Sequence, residues 1–357
     1  MTAPHDKNLK AAFPLLGAQA AGDAARLAAV ADMAITHGEP GQAYHLARDA
    51  RALAPGDADI ESRTARAFIS GVPRWHFEMV RDEARNAAFE AALARAVRPD
   101  SRILDIGAGS GLLAMMAARA GARQVMTCES NPAVADAAAA IIAANGYANR
   151  VRLISKPSTE IDPEGDLGGR ADLIVSEVLS NELIGEDVLA TFEDAVGRLL
   201  APGGRVIPAS GAVRVALAHW SDLGSRRMGT VSGFDCTLFN RLARTPISVH
   251  VADKGLRLRG PAADLFTFDF ASGGPWREGR TSLELVSEGG AVNGIAQWIG
   301  FSLNEQICYE NAPGRLPRSS WSIRFTPLAA EIDAEPGMTM RIHGAHNRRS
   351  LRIWLDG

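Results

Sequence analysis

Only three cysteines, Cys128, Cys236 and Cys308, are spread along 357 residues. So scattered and odd a set excludes a disulfide framework and a thiolate zinc site, and fits the reduced thiols of a cytoplasmic protein. No run of eighteen or more apolar residues occurs, so membrane spanning is not expected. The opening MTAPHDKNLKAAFPLLG has no continuous apolar stretch before a small-residue cleavage site, so export is not expected either. Excess positive charge is also missing: 38 Lys and Arg stand against 41 Asp and Glu, which argues against a nucleic-acid partner. His343 and His346 lie close together without a matching ligand cluster, so no metal site is expected. What remains is 46% apolar and 22% charged, an ordinary globular composition long enough for two or three domains.

Three regions differ in pattern. Residues 1–71 are alanine-rich and helical: AARLAAVADMAITHG and EPGQAYHLARDARALAPGD are amphipathic runs separated by Gly and Pro. Ala43 and Ala50, with Gly38 before and Pro55 after, resemble one tetratricopeptide repeat. A single such unit cannot bury its own face, so it is expected to dock on the rest of the chain. Residues 72–207 alternate short apolar runs (RILDIG, QVMTCES, RVRLIS, ADLIVSE, GGRVIPA) with helix-like ones, which implies a parallel, doubly wound, Rossmann-like sheet. From 208 to 357 the runs AVRVALAHW, SLELVSEGG, IAQWIGFSL and WSIRFTPL are separated by glycines, as in an antiparallel β-barrel or sandwich. The expected fold class is therefore α/β followed by β, behind a helical segment.

The first strand of the central region runs into a turn with Gly107, Gly109 and Gly111, where backbone can approach a ligand at a helix start. The spacing Asp105-x-Gly107-x-Gly109-x-Gly111 departs from the dinucleotide G-x-G-x-x-G pattern. A carboxylate at its head suits a cationic ligand better than a pyrophosphate. S-adenosylmethionine carries a sulfonium and an ammonium and no phosphate. Glu129, about twenty residues beyond the glycines, ends the second strand where an acid grips ribose hydroxyls. Ser158 and Thr159 follow the third strand and are offered to an adenine edge. A class I methyltransferase is favoured over a nicotinamide enzyme.

Strand ADLIVS then runs into SEVLSNELIGEDV, where Glu177, Glu182 and Glu186 crowd one turn. The segment after the fourth strand of such a sheet faces the ligand crevice. Two carboxylates about 4 Å apart repel by roughly 4 kcal/mol at an effective dielectric near 20. They need a cation between them or a proton on one of them. A guanidinium, with its planar fork, is the natural guest.

At these residues the chain resembles the protein arginine methyltransferases, over most of 72–330. The resemblance implies that Glu177 and Glu186 are the two acids that hold the substrate guanidinium, with Glu182 an extra one between them. NELIGE is most similar to the seventh- and ninth-numbered types. WHFEMVRDEARN matches the family's H-x-x-M-x-x-D-x-x-R pattern. This implies that His76 and Arg85 touch the cofactor, Arg85 at its methionyl carboxylate, and that Met79 lines the transfer pocket. VSGFDCTLFNRL, centred on Gly233, Phe234 and Asp235, resembles the dimerisation arm, about 221–246, and implies a homodimer. RAFIS supplies Phe68 where the family has a Tyr-Phe-x-x-Tyr helix. Ser319-Ser320-Trp321 stands where a Thr-His-Trp loop is usual, with Trp321 at the substrate pocket; the missing histidine leaves Asp82 without its partner. The expected substrate is arginine in a protein or peptide. A small molecule or biosynthetic peptide is the alternative acceptor, and a cofactor-sensing scaffold the non-catalytic alternative.

Overall fold

The computed structural model describes residues 4–243 and 245–356, with side chains from Ala12 onward. Four helices come first: α1 (Pro4–Gln19), α2 (Ala24–Thr36), α3 (Pro40–Leu53) and α4 (Ala58–Ile69). The alanine periodicity announced two of them; α1 and α4 complete a small core of their own. Ala28, Ala31, Ala34, Ala43, Ala47 and Ala50 let the backbones approach, while Phe13, Leu27, Leu46 and Ile60 fill the remaining volume. Asp23 and Asp57 cap α2 and α4 by accepting backbone N–H bonds.

Two helices, α5 (Trp75–Val80) and α6 (Glu83–Ala96), lead into the central sheet. Its strands are β1 (Ile103–Ile106), β2 (Val125–Cys128), β3 (Val151–Ile154), β4 (Ala171–Ser176) and β5 (Leu200–Ile207). All pairings are parallel, in the order β3-β2-β1-β4-β5. Helices α7 (Leu112–Arg119), α8 (Pro132–Ala144) and α9 (Val188–Asp194) make connections. The chain winds outward from β1 to β3 and returns to β4, so the order reverses between β1 and β4. The crevice beyond the carboxyl ends of those two strands is where such sheets bind ligands.

After β5 the chain turns antiparallel. Strands β6 (Ser210–Trp220), β7 (Thr230–Val231), β8 (Phe234–Asp235), β9 (Ile247–Val249), β10 (Leu256–Leu258), β11 (Ala263–Asp269) and β12 (Gly279–Val286) are followed by five more. These are β13 (Gly290–Ser302), β14 (Cys308–Glu310), β15 (Ile323–Ala334), β16 (Thr339–His346) and β17 (Leu351–Leu355). The main sheet runs β10-β6-β13-β15-β9, with β11 on β6 and β14 on β13; a second sheet is β12-β16-β17. The short pair β7–β8 stands apart and carries exposed Val231 and Phe234.

The parallel sheet and the β region share one core. Phe89 of α6 meets Phe301 of β13 with ring centroids 6.0 Å apart, and Tyr309 and Trp321 belong to the same buried cluster as Leu104 and Ile174. That continuity lets the β region position loops at the carboxyl end of the sheet. Among the described residues no helix is long and apolar enough to cross a membrane.

Candidate active site

A cavity of about 1090 Å³ opens at the switch between β1 and β4. Gly107, Ala108, Gly109 and Ser110 form one wall, His76, Met79 and Arg85 another, and Glu177 the floor. The glycine turn has φ of 84°, 52° and 76° at Gly107, Gly109 and Gly111, a region costly to any residue with a Cβ. A Cβ at Gly111 would also sit 2.8 Å from Ile142 of α8. Glycine therefore serves both close ligand approach and helix packing here.

Arg85 and Glu177 face each other in the buried part of this cavity, with Arg85 Nη2 2.8 Å from Glu177 Oε2. The contact lacks the alignment of a hydrogen bond: neither Glu177 oxygen has a hydrogen-bond partner among the described residues, nor does Arg85 Nε. Arg85 Nη1 donates to the Met79 carbonyl at 2.7 Å and to Asn86 Oδ1 at 2.8 Å, which fixes the guanidinium. Burial pushes the Glu177 carboxyl up to about 7, against the pull of Arg85. A buried acceptor and a buried donor thus stand unsatisfied side by side, an arrangement that costs free energy until a ligand fills it. The donor fits a carboxylate and the acceptor a cation.

His76 is half-buried, stacked on Trp75 at 4.0 Å, and burial lowers its pKa. It therefore enters the cavity neutral near pH 7. Glu129 lies behind the turn: its Oε2 accepts from the Gly109 N–H at 3.1 Å and its Oε1 from the Asn131 N–H at 2.9 Å. Those bonds tie the glycine turn to the end of β2 and leave second lone pairs on both oxygens.

Several of the expected residues lie outside this cavity. Asp105 is fully buried, lines no part of the cavity and accepts from Thr127 Oγ1 at 2.8 Å. Its carboxyl, pushed to about 7 by burial, braces β1 against β2. Ser158 and Thr159 also lie outside the cavity lining; the Ser158 carbonyl accepts from Arg198 at 2.8 Å, and Thr159 is exposed. Trp321 is 4% exposed, packs among Phe301 and Tyr309, and lies outside the lining of this cavity. Its indole N–H instead donates to the Leu179 carbonyl at 2.9 Å and holds the loop after Glu177. Asp82 does not lack partners: Tyr309, Ser320 and the Arg85 N–H all bond to it.

The acids of the 177–186 loop part company. Glu177 is buried, whereas Glu186 is exposed, makes no side-chain hydrogen bond or ion pair among the described residues, and does not line the cavity. Glu182 turns to the β region, where its Oε2 accepts from the Leu351 N–H at 3.3 Å and its Oε1 lies 3.7 Å from Arg324. Leu183, Glu186 and Asp187 have φ of 67°, 58° and 63°, three non-glycine residues in left-handed backbone within five positions.

Two contributors, Tyr44 and Asn181, could not be picked out from the sequence. Tyr44 of α3 and Phe68 of α4 line the far end of the cavity, and the Tyr44 hydroxyl donates to Asp136 of α8 at 2.9 Å. Asn181 lies between the acids; its carbonyl accepts from Gln297 at 3.0 Å and its Oδ1 from the Ser322 N–H at 2.7 Å. The only hint at Tyr44 was its rarity, as one of three tyrosines in the chain.

Comparison with known proteins places this geometry among relatives. A family model described as ribosomal protein L11 methyltransferase (PrmA) matches residues 84–217, the parallel-sheet region. A protein of Streptomyces achromogenes subsp. streptozoticus named arginine N(omega)-methyltransferase is 37% identical over 300 residues, covering 83% of this chain and 82% of the relative. Protein arginine N-methyltransferase 7 of Oryza sativa subsp. japonica is 32% identical over 274 residues, 69% of this chain but 37% of the relative. The chain thus spans little more than a third of that longer protein. Among solved structures, a chain of the Trypanosoma brucei PRMT1 enzyme–prozyme complex with AdoHcy superposes with a TM-score of 0.68. It has 23% identity over 79% of this chain and 93% of that one, a likeness of fold. Protein arginine methyltransferase 10 of Arabidopsis thaliana gives a TM-score of 0.67 at 20% identity over 78% and 90% of the two chains.

Proposed function

From the premise that this chain belongs to the protein arginine methyltransferase family and is an S-adenosylmethionine-dependent arginine N-methyltransferase, we propose that Glu177 holds the acceptor guanidinium while Arg85 holds the cofactor's carboxylate. The observation that carries this reading is the buried, unsatisfied pair of Glu177 Oε1 and Arg85 Nε in one cavity. S-adenosylmethionine, when bound, supplies an electrophilic methyl carbon. Gly107 and Gly109 give its backbone approach, Glu129 has lone pairs free for hydroxyls, and neutral His76 and Met79 line the remaining wall.

The acceptor arginine is cationic at every working pH, so its nitrogens are weak nucleophiles while charge is delocalised. Glu177, charged and desolvated, draws the positive charge to one side of the guanidinium and leaves density on the nitrogen that attacks. Holding that nitrogen in line contributes several kcal/mol more, by order of magnitude. One proton leaves the nitrogen as the C–N bond forms, and water at the cavity mouth accepts it. Glu186, the second acid by resemblance, faces solvent outside the cavity and would have to turn inward to reach the open side of the guanidinium.

Two acceptors compete. The similarity to the longer enzyme named for protein arginine supports arginine in a protein or peptide. The relative of matching length is named for arginine alone, which supports free arginine. Isotope-labelled cofactor with equimolar free L-arginine and a blocked arginine peptide, read by mass spectrometry, separates them: the labelled product names the acceptor. Label in neither sinks the guanidine reading. The exposed Phe234, Leu238, Phe239 and Leu242 of the 221–246 arm support self-association as a homodimer.

A further inference from the structure

Asp82 is 1% exposed and lies outside the cavity, yet four donors converge on it. Its Oδ1 accepts from the Arg85 N–H at 3.0 Å and so caps α6. Its Oδ2 accepts from the Tyr309 hydroxyl at 3.0 Å, the Ser320 N–H at 2.8 Å and the Ser320 hydroxyl at 3.2 Å. One oxygen is thus committed to the helix that carries Arg85, the other to the β region far along the chain. The Tyr309 hydroxyl is itself steadied by Ser319 Oγ at 2.8 Å, and its ring stacks on Phe301 at 5.2 Å.

We propose that Tyr309 is a positioning residue for cofactor binding: through Asp82 its hydroxyl holds the start of α6 so that Arg85 points into the cavity. The inference rests on the reading of Arg85 as the group that meets the cofactor's carboxylate. A buried carboxylate stays charged only while enough donors surround it. Without the tyrosine hydroxyl, Oδ2 keeps only Ser320. The carboxylate then shifts toward that single residue, and the cap on α6 loosens. Burial keeps the Tyr309 hydroxyl protonated far above its ordinary range, so it acts as a fixed donor and moves no proton. This separates Tyr309 from an acid–base relay.

The test uses the full chain and Tyr309→Phe, which keeps the ring packing and removes one donor. S-adenosylhomocysteine affinity is measured by calorimetry, and melting temperature on the same samples. The dissociation constant should rise about tenfold, the scale of one lost hydrogen bond to a charged group. Ser320→Ala, which retains the N–H bond, should move it the same way by less. An unchanged dissociation constant with a lowered melting temperature would leave Tyr309 a mere packing residue and overturn the proposal. Should the Phe variant not fold, Ser320→Ala decides alone: a measurable loss of affinity supports the proposal, and an affinity equal to the parent's overturns it. A parent chain that binds no S-adenosylhomocysteine would instead overturn the cofactor reading itself, and the proposal with it.

Discussion

Glu177 carries two opposed demands. It must be charged to hold a guanidinium, and its burial resists charge, which pushes its carboxyl from 4.5 to about 7. Activity per acceptor encounter should therefore fall as pH drops through about 7, because a neutral carboxyl no longer attracts the cation. Glu177→Gln should reduce kcat by about a thousandfold or more and flatten that limb. Cofactor affinity should stay within about threefold of the parent, since Arg85 keeps its bonds to the Met79 carbonyl and Asn86 and so its aim into the cavity. An acid limb that persists in the variant would show that Glu177 is not the group behind it. The same two shifts have a stability sign. Between the ordinary values of 4.5 and 3.8 and about 7, the folded chain binds more protons than the unfolded one. Stability therefore declines as pH rises through that window. Calorimetry of the cofactor-free protein at about pH 5 and about pH 8, on either side of the folded values, should show the lower melting temperature at the higher pH.

The loop after β4 works as an element because the β region grips it along its length. Trp321 holds Leu179, Gln297 and Ser322 hold Asn181, and Leu351 and Arg324 hold Glu182. Asn181→Ala removes the acceptor of the Ser322 bonds and should leave cofactor affinity intact. At about 1–3 kcal/mol for an unsatisfied buried group, kcat should drop roughly tenfold to a hundredfold. A cofactor affinity that fell in step with kcat would place the damage in the sheet and not in the loop. Three left-handed residues at 183, 186 and 187 cost of order 1–3 kcal/mol each. Asp187→Gly should therefore relax the turn, offset by loss of the Asp187–Arg349 ion pair, and lower kcat, as measured by thermal melts beside steady-state kinetics.

At the scale of the molecule, two of the N-terminal helices, α3 and α4, are part of the cavity. Tyr44 and Arg48 reach Asp136 of α8, and Phe68 closes the same end where a tyrosine-bearing helix was absent from the sequence. Asp136→Ala should weaken cofactor binding several-fold, by roughly the worth of the hydrogen bonds lost, without unfolding the parallel sheet. Equilibrium titration beside far-ultraviolet dichroism checks both. The exposed arm makes a separate prediction: Phe234→Glu with Leu238→Glu should lower the molar mass seen in light scattering if the arm joins two copies.

Much of this architecture was legible in the amino-acid order. Alternation of short apolar runs with helices specified the parallel sheet, because a strand buried on both faces must read as continuous hydrophobicity. Gly107, Gly109 and Gly111 marked the turn because left-handed backbone excludes other residues, and the carboxyl-end rule placed Glu177 beside it. Those are local or topological constraints, so they are written locally. What the order of residues left open was partnership over distance. Asp82 looked orphaned until folding brought Tyr309 and Ser320 to it from across the chain, and the bond from Trp321 to the Leu179 carbonyl joins residues too far apart in sequence to be paired by reading. Glu177 and Glu186 looked alike in sequence, yet one is buried in the cavity and the other meets solvent. Burial is a property of packing and arises only when distant elements meet.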